Sequence, residues 1–154
     1  MKKNDLLLLS SLRKNARDSL TNISRRTKIP VSTIFDKLRT HEKGIIKKHT
    51  TIVDFSMLGF TTRANITLKV SKDKKEELKC FLLKTPQTNS VYKINNGYDF
   101  LVEAVFRNLK ELEDFSEKLD QDFNVKAKQV YYVIEDLKRE EFLSDPEYLS
   151  IMGA

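Results

Sequence analysis

The sequence predicts an α+β protein, in which an N-terminal winged helix–turn–helix precedes a C-terminal ferredoxin-like βαββαβ sandwich. Apolar residues recur at helical spacing on both sides of Pro30, whereas from Thr61 onward the apolar period changes to two. Charge divides at the same place, because residues 1–60 hold 13 Lys and Arg against 5 Asp and Glu, while residues 61–154 hold 15 against 17. We therefore predict a helix–turn–helix domain over residues 1–53, a hinge over 54–61, the sandwich over 62–136 and a tail over 137–154.

Three helices are predicted in the first domain. The first covers residues 5–15, where leucines recur at helical spacing. The second begins at Ser19 and ends before Pro30, because a proline disfavours helical backbone at the residue that precedes it. The third begins with Pro30 in its first turn. Gly44 is predicted to end it with a left-handed C-cap.

The third predicted helix has an inward and an outward face. Ile34, Leu38 and His41 fall on the inward side, and we interpret His41 as a partly buried histidine near the helix end rather than a metal ligand. The two short helices are joined by a tight turn, and the second directs hydroxyl, carboxylate and basic groups outward. This arrangement is typical of the motif that enters a DNA major groove. An ordinary helical hairpin with a solvated face is the alternative. The outward residues are Ser32, Thr33, Phe35, Asp36, Lys37, Arg39 and Thr40.

Residues 45–53 are β-branched and basic, which predicts a short β-wing. Lys47 and Lys48 would meet phosphates at the turn of this wing. The balance of +8 over residues 1–60 is typical of a nucleic-acid-binding module joined to another domain, so the predicted partner is double-stranded DNA. The predicted DNA-binding residues are Ser19, Thr21, Ser32, Thr33, Phe35, Asp36, Lys37, Arg39, Thr40, Lys47 and Lys48.

The second half of the chain alternates between strand and helix patterns. Ala64, Ile66, Leu68 and Val70 alternate with polar residues, as in a strand with one buried face. Asn95-Asn96-Gly97 is a turn sequence that tolerates positive φ. The order β-α-β-β-α-β is the ferredoxin-like split motif. Strands are predicted over residues 64–70, 90–94, 98–106 and 125–134, and helices over residues 71–84 and 108–121.

The third predicted strand is apolar on both faces, with Phe100 and Val102 on one and Leu101 and Val105 on the other. Because the helices of this motif cover one face of the sheet, we expect a second copy of the chain to cover the other. The predicted assembly is a homodimer, with a tetramer or an octamer left open. The tail over residues 137–154 is expected to pack on a neighbouring part of the protein.

Several classes of protein and site are disfavoured by composition. Cys80 is the single cysteine, which excludes an internal disulfide and fits a reducing, cytoplasmic location; we interpret it as a buried helix residue. No apolar run is long enough for a membrane span, so no membrane partner is predicted. His41 and His49 are the two histidines, and neither a catalytic nor a metal site is predicted from them.

Several short stretches, taken in order, resemble the Lrp/AsnC (feast/famine) family of transcriptional regulators over about residues 4–136. The resemblance implies a RAM-type effector domain, which senses an amino acid or a similar small effector, and it implies no cofactor and no enzymatic activity. Asn96, Gly97, Tyr98 and Asp99 match the effector-binding region of the family. The stretches are Asn15-Ala16-Arg17, Ile23-Ser24-Arg25-Arg26, Ser32-Thr33-Ile34, Gly44-Ile45-Ile46-Lys47, Leu58-Gly59-Phe60 and Asn96-Gly97-Tyr98-Asp99-Phe100.

Three alternatives stay open at this point. Gly97 would merely make the hairpin turn, and Asp99 would cap a backbone N–H, if no effector bound there. An architectural DNA-binding protein is disfavoured by Asp36, because a carboxylate repels phosphate and suits contact with a cytosine amino group. A sirohaem decarboxylase, which resembles this family, is disfavoured because the chain has no Trp and both histidines lie in the basic domain.

Overall fold

The computed structural model describes residues 2–149, which fold as two compact units. The first unit combines the chain up to Ile52 with the residues from Leu137 onward, and the second is Val53–Asp136. The described residues of the predicted tail, 137–149, therefore belong to the same unit as the N-terminal helices. Ile151, which the sequence pattern assigned to the tail, lies outside the described residues.

Three helices form the first unit: α1 (Lys3–Lys14), α2 (Leu20–Thr27) and α3 (Val31–Glu42). Their shared core consists of Leu8, Ile23, Ile29 and Ile34, each at most 3% exposed. The Ser19 hydroxyl caps α2 by accepting a hydrogen bond from the backbone N–H of Asn22 at 3.1 Å. The helix–turn–helix predicted from the sequence is confirmed. The turn between α2 and α3 begins with Lys28, whose backbone is left-handed at φ 61°.

The predicted left-handed cap at Gly44 is wrong. The C-cap of α3 is Lys43, at φ −82°, and the φ of Gly44 is not positive. The His41 carbonyl instead accepts hydrogen bonds from the N–H groups of Gly44 and Ile46, at 3.0 and 2.9 Å. This tight turn satisfies a carbonyl at the helix end without a left-handed residue.

The predicted β-wing over residues 45–53 is also wrong. This segment has no regular secondary structure, and Ile45 and Ile52 are about half exposed. A strand exists only where another strand completes its hydrogen-bond ladder. The β-branched composition of the segment is therefore insufficient, because none of residues 2–149 pairs with it as a strand.

The second unit is an antiparallel sheet covered on one face by two helices. The elements are β1 (Thr62–Val70), α4 (Lys75–Lys84), β2 (Thr88–Lys93), β3 (Phe100–Phe106), α5 (Leu109–Phe123) and β4 (Val125–Tyr132). Short 3₁₀ helices occupy Ser56–Leu58 and Lys72–Lys74 in this unit. The sheet order is β2-β3-β1-β4, and β1 pairs with both β3 and β4, which confirms the βαββαβ prediction.

The core of the second unit lies between the sheet and the two helices. Ile66 on β1 pairs in register with Val102 on β3, and both are fully buried beneath Leu78 and Leu119. The prediction that Cys80 is buried is wrong, because this cysteine is exposed. Leu78 and Leu82 define the buried face of α4, and a residue two positions from either lies on the opposite side of the helix.

The tail contacts α1 of its own chain. The Arg13 guanidinium donates hydrogen bonds to the backbone carbonyls of Glu140 and Phe142, at 2.7 and 2.9 Å, and pairs with the Glu140 carboxylate at 3.1 Å. The tail then forms a 3₁₀ helix (Pro146–Leu149), in which Leu149 is buried. The prediction that this segment packs on a neighbour is confirmed at Glu140 and Leu149, whereas Leu137, Phe142 and Tyr148 are more than half exposed.

Candidate nucleic-acid interface

The helix α3 is held in place by its apolar face and by polar contacts with Asp5. Ile34 is fully buried in the three-helix core, and Leu38 packs against that core one turn later. His41 is 9% exposed, which confirms the prediction of a buried histidine near the helix end. The opposite face of α3 therefore has a fixed orientation toward solvent.

Asp5 connects the start of α1 to the inward face of α3. Its Oδ1 lies 2.5 Å from the Lys37 Nζ and 3.2 Å from the His41 Nε2, while Oδ2 accepts a hydrogen bond from the Lys2 backbone N–H at 3.2 Å. The hydrogen bond from Lys37 holds the pKa of Asp5 below its usual value, against the opposing effect of desolvation. This cluster could not be predicted from the sequence, because Lys37 and His41 lie 32 and 36 residues away from Asp5.

This cluster contradicts one orientation predicted from the sequence. Lys37 was expected to face outward, but its side chain is 23% exposed and its ammonium group is paired with Asp5. A long lysine side chain can reach the neighbouring helix from the edge of a helical face, which the helical period cannot reveal. In this structure Lys37 therefore connects α3 to α1, and its contact with a DNA phosphate stays a prediction.

The outward face of α3 carries about half of the predicted DNA-binding residues. Positions 32, 35, 36 and 39 follow the i, i+3, i+4, i+7 spacing of one helical face, and Thr33 is half-buried at its edge. The Thr40 hydroxyl donates to the Asp36 carbonyl within the helix, at 2.9 Å. The exposed residues of this face are Ser32, Phe35, Asp36, Arg39 and Thr40.

The remaining predicted DNA-binding residues lie outside α3. Ser19 and Thr21, at the start of α2, are exposed, and Lys47 and Lys48 are exposed in the irregular segment that follows α3. Val31 was not singled out from the sequence, yet it is 42% exposed at the start of α3. The signal for it was available, because Val31 lies one helical turn before Phe35.

The predicted effector loop connects β2 to β3. Asn96 and Gly97 both have positive φ, at 60° and 90°, as the turn sequence predicted. The Asp99 carboxylate accepts a hydrogen bond from the Val70 N–H at 3.0 Å and pairs with the Lys75 Nζ at 2.5 Å. Burial raises the pKa of Asp99, but the hydrogen bonds from Lys75 and Val70 outweigh this effect and leave the pKa below its usual value.

The face of the sheet opposite the helices is partly apolar. Leu101 is half-buried, Val105 is 9% exposed, and Tyr92 and Tyr131 are more than half exposed at the two edges. The contribution of β1 to this face is polar, since Arg63 ion-pairs with Glu103 at 3.6 Å. The face is therefore less uniformly apolar than the sequence pattern of β3 indicated.

Comparisons with known proteins decide the family. The profile of the Lrp/AsnC ligand binding domain matches residues 63–142. The HTH-type transcriptional regulator FL11 of Pyrococcus furiosus is 34% identical over 112 residues, which cover 72% of this chain and 74% of the relative. This chain belongs to the Lrp/AsnC family of transcriptional regulators. The resemblance inferred from the sequence motifs is thereby confirmed, and the relatives are regulators rather than enzymes.

Two solved structures share the fold over 90% of this chain. A transcriptional regulator from Neisseria meningitidis in complex with L-Met superposes with a TM-score of 0.82 at 21% identity, covering 90% of this chain and 93% of that one. LrpC of B. subtilis superposes with a TM-score of 0.80 at 22% identity, covering 90% and 97%. The α+β fold of this Lrp/AsnC regulator, helix–turn–helix followed by sandwich, agrees with both.

Two further properties concern the described residues of this regulator. Within residues 2–149, no helix is both long enough and apolar enough to cross a membrane. The same part of the chain contains no group of three or more His, Cys, Asp or Glu side chains that could hold a metal ion.

Proposed function

We propose that this Lrp/AsnC regulator binds double-stranded operator DNA as a homodimer, with the outward face of α3 reading bases. The observation that carries the proposal is the combination of an anchored inner face and an exposed outer face on one helix. Ile34 and the Asp5 cluster hold α3, while Asp36 and Arg39 extend into solvent. Arginine donates to guanine and a carboxylate accepts from cytosine in the major groove.

Phosphate contacts are assigned to residues that flank this face. Lys47 and Lys48 follow α3 and are exposed, and Thr21 lies at the start of α2. The balance of +8 over residues 1–60 supports an electrostatic contribution to DNA affinity. An architectural, sequence-indifferent role is the second candidate, and it is disfavoured by the exposed carboxylate of Asp36 on the outward face.

The experiment is a salt titration of duplex binding. Each lysine–phosphate contact contributes about 0.9 to the slope of log affinity against log salt concentration. Replacing Lys47 and Lys48 together by Gln should therefore reduce the slope by about 2 per bound chain. The matched control replaces Lys72 and Lys93, which are exposed in the second unit, by Gln. Equal slopes for the two double variants would contradict the assignment.

The homodimer is proposed to form through the open face of the sheet. Leu101 is half-buried on this face, and Tyr92 and Tyr131 are more than half exposed. Burying their apolar surface against a second copy stabilises association by roughly 25 cal/mol per Å². Leu101→Glu should give a folded monomer by sedimentation, whereas Val102→Glu should unfold the second unit, because Val102 is fully buried beneath the helices. A wild-type monomer at micromolar concentration would contradict the proposal.

The effector is proposed to be an amino acid bound at the loop between β2 and β3. Asp99 and Gly97 hold the loop conformation, which leaves Asn96, exposed, and Tyr98, half-exposed, as the ligand-contacting side chains. The L-Met complex of the Neisseria meningitidis protein supports this ligand class. Calorimetric titration with the common amino acids should find a binder that Asn96→Ala weakens. Binding of none of them would contradict the proposal.

A further inference from the structure

The largest side chain on the outward face of α3 is apolar. Phe35 is 55% exposed, in the middle of a helix whose neighbouring outward residues are polar. Val31, one turn earlier and 42% exposed, extends the apolar surface along the same side. Phe35 is not one of the residues of the buried three-helix cluster, in which Ile34 occupies the inward position.

Phe35 lies between groups suited to base edges. Ser32 precedes it by three residues, Asp36 follows it directly, and Arg39 follows it by four, so all share one exposed surface. The first unit carries the basic excess of the chain, which is complementary to a polyanion rather than to a lipid or an apolar peptide. The occupant of this surface is therefore double-stranded DNA, as in the proposed function.

One base carries an apolar group on its major-groove edge. Thymine exposes a C5-methyl group there, and side chains such as phenylalanine recognise it by apolar contact, whereas the remaining groups on that edge are hydrogen-bond donors and acceptors. Within the major groove, contact with this methyl group is therefore the most favourable way to remove the Phe35 ring from water.

We propose that Phe35 is a specificity-determining residue that reads the 5-methyl group of a thymine in the operator half-site. This inference rests on the proposed function, because it requires α3 to lie in the major groove. Phe35 and Arg39 are separated by about 6 Å along the helix axis, and successive base pairs by about 3.4 Å. The thymine therefore lies one or two base pairs from the guanine that Arg39 contacts, with Val31 against the sugar or base next to it.

The test removes the methyl group without changing any hydrogen-bonding group. A duplex selected from a random pool by the wild-type chain is resynthesised with uracil in place of each thymine in turn, and affinity is measured by fluorescence anisotropy. One uracil position should weaken wild-type binding about fourfold, the affinity equivalent of one buried methylene-sized group. Phe35→Ala should bind the thymine duplex about fourfold more weakly and show no further loss with uracil.

The matched control is Phe142→Ala, which removes another exposed phenyl ring from the first unit. The Phe142 carbonyl that accepts from Arg13 belongs to the backbone and is retained. This variant should keep the wild-type ratio of thymine to uracil affinity. Circular dichroism of Phe35→Ala should be unchanged, because the ring is outside the core.

Four results would overturn the inference. Wild-type binding that no uracil weakens would refute methyl reading while leaving the proposed function intact. An equal uracil effect in wild type and Phe35→Ala would assign the methyl to another residue. A change of sedimentation coefficient in Phe35→Ala would show that the ring contacts protein instead. If no duplex bound at all, the proposed function and this inference would fail together.

Discussion

Replacing Asp5 by Asn should loosen the recognition helix although Asp5 lies outside it. The carboxylate is 13% exposed at its side chain and contacts Lys37 at 2.5 Å and His41 at 3.2 Å, both on α3. An asparagine has nearly the same shape, but it carries no charge, and only one of its two terminal atoms, the amide oxygen, can accept a hydrogen bond. The substitution therefore removes the ionic attraction between α1 and α3, and leaves one of the present donors facing an NH2 group, while the apolar core stays intact.

The size of the effect follows from the burial of the partners. A hydrogen bond to a charged group contributes about 1.5–3 kcal/mol, and leaving a buried polar group unpaired costs about 1–3 kcal/mol. Lys37 is 23% exposed at its side chain, so water compensates part of its loss. We expect the local stability of the α1–α3 packing to fall by about 1–3 kcal/mol, which is about 5–150-fold in amide-exchange protection.

Hydrogen exchange resolved to peptides is the suitable assay, because a chain of two units need not unfold in one step. Peptides covering α1 and α3 should lose protection in Asp5→Asn, and peptides from β1 and β3 should not. Asp36→Asn, at an exposed carboxylate on the same helix, is the matched control and should change protection little. Unchanged protection of α3 in Asp5→Asn would refute the anchoring role.

The effect should also depend on pH in a defined direction. The pKa of Asp5 is lowered in the folded chain, chiefly by the hydrogen bond from Lys37. Its contribution to stability is therefore complete above the unfolded value, about 3.9, and is lost as the pH falls through the lowered folded value. The difference between wild type and Asp5→Asn should be constant from pH 7 to about pH 5 and should narrow below about pH 4.

Three further predictions concern single positions. Gly44→Ala should be neutral or should stabilise the chain by up to about 1 kcal/mol, because the φ of Gly44 is not positive and no atom lies within 4 Å of an added Cβ. Gly97→Ala should instead destabilise the second unit in thermal unfolding, because Gly97 has a φ of +90°. Asp99→Ala should lower the melting temperature of the second unit, because the Val70 N–H loses its acceptor; an unchanged value would contradict the capping role. Arg13→Ala should speed proteolysis of the tail, since it removes the donors to two tail carbonyls; an unchanged cleavage rate would contradict it.

Periodicity predicted the second unit best. The alternation of Ala64, Ile66, Leu68 and Val70 with polar residues corresponds to the buried face of β1. The turn at Asn96 and Gly97 was predictable because both residue types tolerate positive φ. These elements depend on local rules, namely side-chain alternation and backbone preference, that a single sequence displays directly.

The predictions that are wrong concern features that depend on residues distant in sequence, or on which of several possible turns ends a helix. The segment after Gly44 has strand-like composition but no strand to pair with among residues 2–149. Lys37 looked outward by helical period and turns back to Asp5, 32 residues away in sequence. Cys80 was assigned to the core on residue type, although Leu78 and Leu82 already defined the buried face of its helix.

The part of the candidate interface that lies on one helical face could be predicted from the sequence. Ser32, Asp36 and Arg39 were expected outward and are exposed together on α3. Asp5 could not be found from the sequence, because its role depends on how α1 packs on α3. Two roles were considered for Asp99 from the sequence, effector binding and capping of a backbone N–H. The structure shows the cap, because the Asp99 carboxylate accepts a hydrogen bond from the Val70 N–H.

The most direct test of the account is the base preference of Arg39→Ala compared with Lys47→Ala. Sites are selected from random duplexes by wild type and by each variant, and affinity is measured for every single-base change in the selected half-site. Arg39→Ala should lose about 1–3 kcal/mol and relax the preference at one base pair, while Lys47→Ala should weaken all sequences alike. An unchanged base preference in Arg39→Ala would contradict the claim that the outward face of α3 reads DNA sequence.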